Sequence, residues 1–196
     1  MTTALDTTNN GSDIPAATTT PISTTWAIDP AHTDVGFAVK HLMISTVRGR
    51  FGSVRGTIQL DESDLAGSSV DVEIEAASID TRQEQRDAHL RSADFFDVEK
   101  FPLITFRSRA VESLGDGRFK VTGDLTIHGV TREVVLAATD EGRGVDPWGN
   151  QKAAFTAETK IDRREFGLGW NQALEAGGVL VANEIRITLD VQAVRA

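Results

Sequence analysis

Arg82, Arg86 and His89 stand at i, i+4 and i+7, a spacing that lines side chains along one face of a helix. Guanidinium groups match phosphate oxygens two at a time, so such a stripe could receive a pyrophosphate at the mouth of a cavity. The plainer reading, and the preferred one, is a solvated helix face on which Asp87 and Arg91 form an ordinary i, i+4 pair. The four histidines are the other candidates, because imidazole titrates nearest neutrality and is the commonest metal ligand. His128 precedes Gly129 and reads as a turn residue, since His tolerates a left-handed backbone. His32 lies two residues before Asp34, and His41 shares the parity of Val35, Phe37 and Val39, which points it inward on a regular strand. A buried imidazole needs a partner, and near a lumen it could orient a ligand's head group. His32 and His41 are read first as structural, and they motivate one alternative, an enzyme acting on a lipid.

Other chemistries are excluded by what is missing. No two histidines have the i, i+4 spacing of a helical zinc site, and the chain has 0 Cys, so thiolate metal sites, disulfides and cysteine nucleophiles are out. There is no nucleophile elbow, no phosphate loop and no dinucleotide-binding glycine pattern. The expectation is a protein with no catalytic residue, no metal and no cofactor. With 20 Lys+Arg against 29 Asp+Glu, the net charge of -9 disfavours a groove for nucleic acid, which needs clustered cations. No stretch approaches the roughly 20 apolar residues of a membrane-spanning helix.

The elements that must carry these residues are strands. Val54, Gly56, Ile58 and Leu60 alternate with Arg55, Thr57, Gln59 and Asp61, and the same period runs through Val70–Ala76, Phe119–Ile127 and Ile185–Val191. Further strands fit Val35–Val39, Ile104–Val111, Val130–Thr139 and Ala153–Ile161. One-faced strands suit an antiparallel sheet. Asp116-Gly117 and His128-Gly129 predict tight hairpins, and Asp146-Pro147-Trp148-Gly149 a longer loop, so Phe101 to Ile161 is a meander. Eight such strands must fold their apolar faces inward, as a closed barrel or two packed sheets. One helix interrupts them: Thr81 and Glu84 form a capping box, the helix runs to about Ala93, and its thin stripe of Ala88, Leu90 and Ala93 makes it a cap on the barrel's end. Residues 1–23, rich in Thr, Ala, Asn and Ser without Lys or Arg, are expected to be a disordered tail. They show neither the positive start nor the apolar run of a secretory signal, and the expected location is cytoplasmic.

Several stretches together resemble the YceI-like family of polyisoprenoid-binding proteins. They are Trp26-Ala27-Ile28-Asp29-Pro30-Ala31-His32-Thr33, Val35-Gly36-Phe37 to His41, and Arg48-Gly49-Arg50-Phe51. The most specific is Phe95-Phe96-Asp97-Val98-Glu99-Lys100-Phe101-Pro102, running on to Ile104-Thr105-Phe106. Leu125 to Thr131, and Ile161-Asp162-Arg163 with Phe166-Gly167, complete a match over about residues 24–195. The resemblance implies an extended, lipocalin-like antiparallel barrel whose hydrophobic tunnel holds a long-chain isoprenoid or similar amphiphilic lipid. It implies a binder or carrier rather than a catalyst, and a homodimer in some cases. Many members carry a secretory signal and work in the periplasm, and here the Thr-rich start departs from that pattern.

The combined reading is an all-β, lipocalin-like, eight-stranded antiparallel barrel over residues 24–196 with one short capping helix. Its expected ligand is a polyprenyl chain of the isoprenoid quinone or polyprenyl phosphate type. Phe37, Val39, Phe51, Ile58, Val72, Ile74, Phe106, Val121, Leu125, Phe155, Ile187 and Leu189 are the expected lining. Arg82, Arg86, His89, His41 and Asn171 are the candidates to orient a head group near the mouth. A packed barrel without a cavity, serving as a stress-related interaction module, is the remaining alternative.

Overall fold

The strands of this protein are longer than their hydrophobic patterns, and three of them are broken. The computed structural model describes residues 23–174 and 178–196. The expected tail lies outside them except for Ser23, which is the first residue of a strand. Among the described residues eleven strands follow one another: β1 (Ser23–Ile28), β2 (Asp34–His41), β3 (Ser45–Phe51), β4 (Val54–Asp61), β5 (Ser69–Glu75), β6 (Ile79–Asp80), β7 (Leu103–Gly115), β8 (Arg118–Ile127), β9 (Val130–Val145), β10 (Gln151–Asp162) and β11 (Val181–Arg195). One helix, α1 (Glu84–Arg91), lies between β6 and β7. Among the described residues, no helix is long and apolar enough to cross a membrane.

All pairings are antiparallel, and β1 pairs β11 as well as β4, which closes the sheet. β1 and β2 lie end to end along one edge of β11, with Ile28 opposite Ala193 and Asp34 opposite Asp190. β3 and β4 run along their other side, with Phe51 opposite Val35 and Thr57 opposite Ala27. β5 and β6 continue the pattern, with Ile74 opposite Val54 and Ile79 opposite Phe51. Three broken strands and the unbroken β7 to β11 therefore make an eight-stranded closed barrel. The sequence pattern reaches that number while missing β1, β3 and β6 as segments.

Each break has a local cause. Asp29 accepts from the Ala31 N–H and caps a short 3-10 turn in which Pro30 has no N–H to give a ladder. Gly52 and Ser53 separate β3 from β4, and a 3-10 turn at Ala76–Ser78 separates β5 from β6. Ala76, expected as the end of a strand, is instead the buried first residue of that turn. Elsewhere the period of two holds. β8 alternates without error, with Phe119, Val121, Gly123, Leu125 and Ile127 all buried. The hairpins at Asp116-Gly117 and His128-Gly129 have positive φ at both positions (53° and 71°, then 52° and 72°), the geometry whose twist matches the flanking strands.

Antiparallel order sorts the connections into two ends. The turn at 42–44, the turn at His128-Gly129, α1 and residues 163–174 and 178–180 form the helix end. Residues 62–68, Asp116-Gly117 and 146–150 form the opposite end. β9, with 16 residues at roughly 3.3 Å each, shows how tall the barrel is.

The start of α1 departs from expectation. Gln83, not Thr81, is the N-cap, its side chain accepting from the Arg86 N–H, and the helix ends at Arg91. Thr81 is drawn into the core instead: its N–H donates to Asp87 Oδ1 at 2.9 Å and its hydroxyl donates to the same oxygen. Asp87 is thus buried and does not pair with Arg91, whose guanidinium donates to the carbonyls of Ala77 and Ile79.

Candidate functional site

A cavity of about 300 Å³ lies along the inside of the barrel. Its wall begins at Leu65, Ser68 and Ser69 at the opposite end, passes Phe106 and Leu125, and finishes at Leu90, Phe96 and Leu168 at the helix end. Phe37, Val39, Phe51, Ile58, Val72, Ile74, Phe106, Val121, Leu125, Phe155, Ile187 and Leu189 all border it. This follows from parity, because once the barrel closes, the apolar face of every strand has one interior to face. The polar members of the wall are Thr33, Ser68, Ser69, Thr156, Thr159 and Arg163. A wall so poor in hydrogen-bonding partners holds water weakly and suits hydrocarbon.

Beside the helix end of this cavity is a depression bordered by His41, Gln83, Gln85, Arg86, His89 and Trp170. Leu90, Phe95 and Val181 border both spaces, so the depression adjoins the end of the cavity. The structure brings together three of the five head-group candidates here. His41 ends β2 and faces the depression, not the lumen. His89 Nε2 lies 2.9 Å from Asp94 Oδ2, and its ring packs edge-on against Phe95 and Trp170. The Arg86 guanidinium donates to the hydroxyl and the carbonyl of Thr81, which fixes its position.

The other two are not brought there. Arg82 precedes the N-cap with φ 61° and is exposed, so the three-residue helical stripe does not form. Asn171 is occupied by backbone, its amide donating to Val181 O and its oxygen accepting from Val181 N–H. His32 is also remote from His41. It ends the turn between β1 and β2, its side chain is 63% exposed, and it bonds Asp29. Burial pushes the Asp29 carboxyl up, but hydrogen bonds from His32 and Lys152 more than offset this and leave it below the usual range. The pair invoked for catalysis is therefore split between two places.

Arg163 was missed as a site residue. It follows Ile161 by two, and the parity that buries Ile161 aims Arg163 inward as well. Only 3% of its surface is exposed, and it donates to the carbonyls of Ala182, Leu168, Trp170 and Val181. Burial lowers its pKa, and no carboxylate forms an ion pair with it among the described residues. An inward parity position holding Arg is the sequence signal that marks it.

A closed eight-stranded antiparallel barrel with an apolar lengthwise cavity is of the lipocalin-like class. Within that class the chain belongs to the YceI-like domain family, whose model matches residues 26–193. It is 44% identical over 137 residues to the protein YceI of Escherichia coli O157:H7, covering 70% of this chain and 71% of that one. The crystal structure of Burkholderia cenocepacia BcnA superposes with a TM-score of 0.74 at 25% identity, covering 84% of this chain and 98% of that one. A polyisoprenoid-binding domain from Saccharophagus degradans shares the fold at a TM-score of 0.67 and 12% identity, covering 88% of this chain and 99% of that one.

Proposed function

We propose that this barrel binds a long-chain isoprenoid or similar amphiphilic lipid, of the isoprenoid quinone or polyprenyl phosphate type, and sequesters or carries it. The observation that supports the reading is the lengthwise apolar cavity, whose only ionisable wall residue among the described ones is Arg163. Removing a chain from water contributes about 0.8 kcal/mol per methylene, so a fifteen-carbon stretch supplies roughly 10 kcal/mol before ordering costs. The polar group of the ligand would lie at the helix end, near Arg86, His89 and His41. The reading is of a binder: the cavity wall offers no pair of acid and base groups to move a proton. Cytoplasmic residence and homodimer formation are part of the proposal, and cell fractionation and sedimentation velocity test them.

The test of the ligand is gentle purification followed by native mass spectrometry and organic extraction, with added polyprenyl phosphate and isoprenoid quinone as probes. A bound mass that extracts as a prenyl lipid, or stoichiometric uptake of either probe, is expected. A homogeneous apo mass with no uptake overturns the reading.

A further inference from the structure

We propose that the helix end of the barrel docks on an anionic lipid surface, with the turn between β2 and β3 inserted among the lipid chains. That turn is Leu42-Met43-Ile44, exposed by 37%, 61% and 82%. Leu42 and Met43 hold φ of 52° and 61°, where a hairpin ordinarily takes Asn-Gly. Bulky apolar residues in the left-handed region are a strained choice for a turn that has only to reverse the chain. The Leu42 N–H donates to Leu180 O at 2.9 Å, and both His41 and Leu180 border the depression at the end of the cavity. The apolar tip therefore stands beside the depression at the helix end.

The charge beside it complements an anionic surface. Arg48 pairs across to Ala38, Ala38 to Arg186, and Arg186 to Lys160, forming one row over β3, β2, β11 and β10. Lys40 lies on the same face, two residues from Ala38, and the four cations are exposed. Lys160 pairs with Glu184 at 2.9 Å, whereas Lys40, Arg48 and Arg186 form no ion pair among the described residues. Like charges on neighbouring strands repel one another. In a chain of net charge -9, this patch runs against the overall balance. Apolar side chains flanked by free cations are what an interfacial protein presents to anionic lipid.

The test uses the absence of cysteine. Ile44→Cys, and Leu114→Cys at the opposite end, each carry a single environment-sensitive dye, and each protein is mixed with vesicles of phosphatidylglycerol and phosphatidylcholine or of phosphatidylcholine alone. A blue shift is expected for the dye at position 44 with the anionic vesicles only. Co-sedimentation should weaken about five-fold per charge removed in Arg48→Gln and Arg186→Gln, and fall with added salt. Equal response at both positions, equal binding to both vesicle types, or a shift that needs only higher protein concentration, marking a second copy as the occupant, overturns the proposal. Docking is read without any ligand in the cavity, so failed prenyl uptake with docking intact would remove the ligand reading alone.

Discussion

The ring of Phe37 occupies the space that a side chain at Gly49 would need: a Cβ on Gly49 would lie 2.7 Å from Phe37 Cε1. The two residues are partners across β2 and β3, and the Phe37 ring leans on Phe51 at 5.7 Å between centroids. Gly49→Ala must therefore displace an aromatic ring that borders the cavity. A loss of about 1–3 kcal/mol is expected in urea unfolding, together with weaker prenyl uptake. Unchanged stability would show that the ring moves away freely.

Filling the cavity separates binding from folding. Ala138 borders the cavity on β9, and Phe in its place projects into space that hydrocarbon would take. Ala138→Phe is expected to keep its far-ultraviolet circular dichroism and its thermal midpoint within a few degrees, while prenyl uptake falls at least ten-fold. Undiminished uptake would place the ligand elsewhere.

Arg163 ties four backbone carbonyls at the helix end to one buried guanidinium. Arg163→Met keeps much of the volume and removes every donor, so the carbonyls of Leu168, Trp170 and Ala182 lose this partner while Val181 O keeps the Asn171 amide. A loss near 3 kcal/mol is expected from chemical denaturation, at about 1–3 kcal/mol for each buried group left unpaired. Arg163→Lys should not restore stability, because an ammonium cannot reproduce the planar fork. Amide exchange in residues 178–182 should accelerate in both variants.

Asp162 titrates low, at about 2, because the Arg164 side chain hydrogen-bonds its carboxylate, against a smaller effect of burial. A carboxyl whose folded pKa is depressed contributes stability above its unfolded value near 3.9, and that contribution is lost as pH falls toward 2. Stability should thus decline between about pH 4 and pH 2, with a shallower decline in Asp162→Asn. Added salt should reduce the difference, since Arg164 is largely exposed. Identical acid profiles for both proteins would remove Asp162 from the account.

Much of the barrel is legible in the order of residues. Apolar parity on β8 and β11, the Gly-containing hairpins and the count of eight depend on local rules: which face a side chain takes, and which backbone can turn tightly. The twelve lining positions follow from the same parity, because closure leaves one inside. The breaks in the long strands did not show, since an alternating pattern does not mark where a ladder stops: Asp29 caps a turn through the Ala31 N–H, while the Gly52 and Ala76 N–H groups donate to the Ser78 and Pro102 carbonyls.

The helix end shows where local reading stops. Thr81 and Glu84 spell a capping box, yet Asp87 captures the Thr81 N–H and hydroxyl inside the core, the cap moves to Gln83, and Arg82 leaves the stripe. Composition and periodicity establish one-faced antiparallel strands with their apolar groups inward, in a closed barrel or two packed sheets. Whether those groups meet or stand apart is set by how eight strands close, how far each tilts and which ring fills which gap, and these are relations between residues that a linear pattern does not contain.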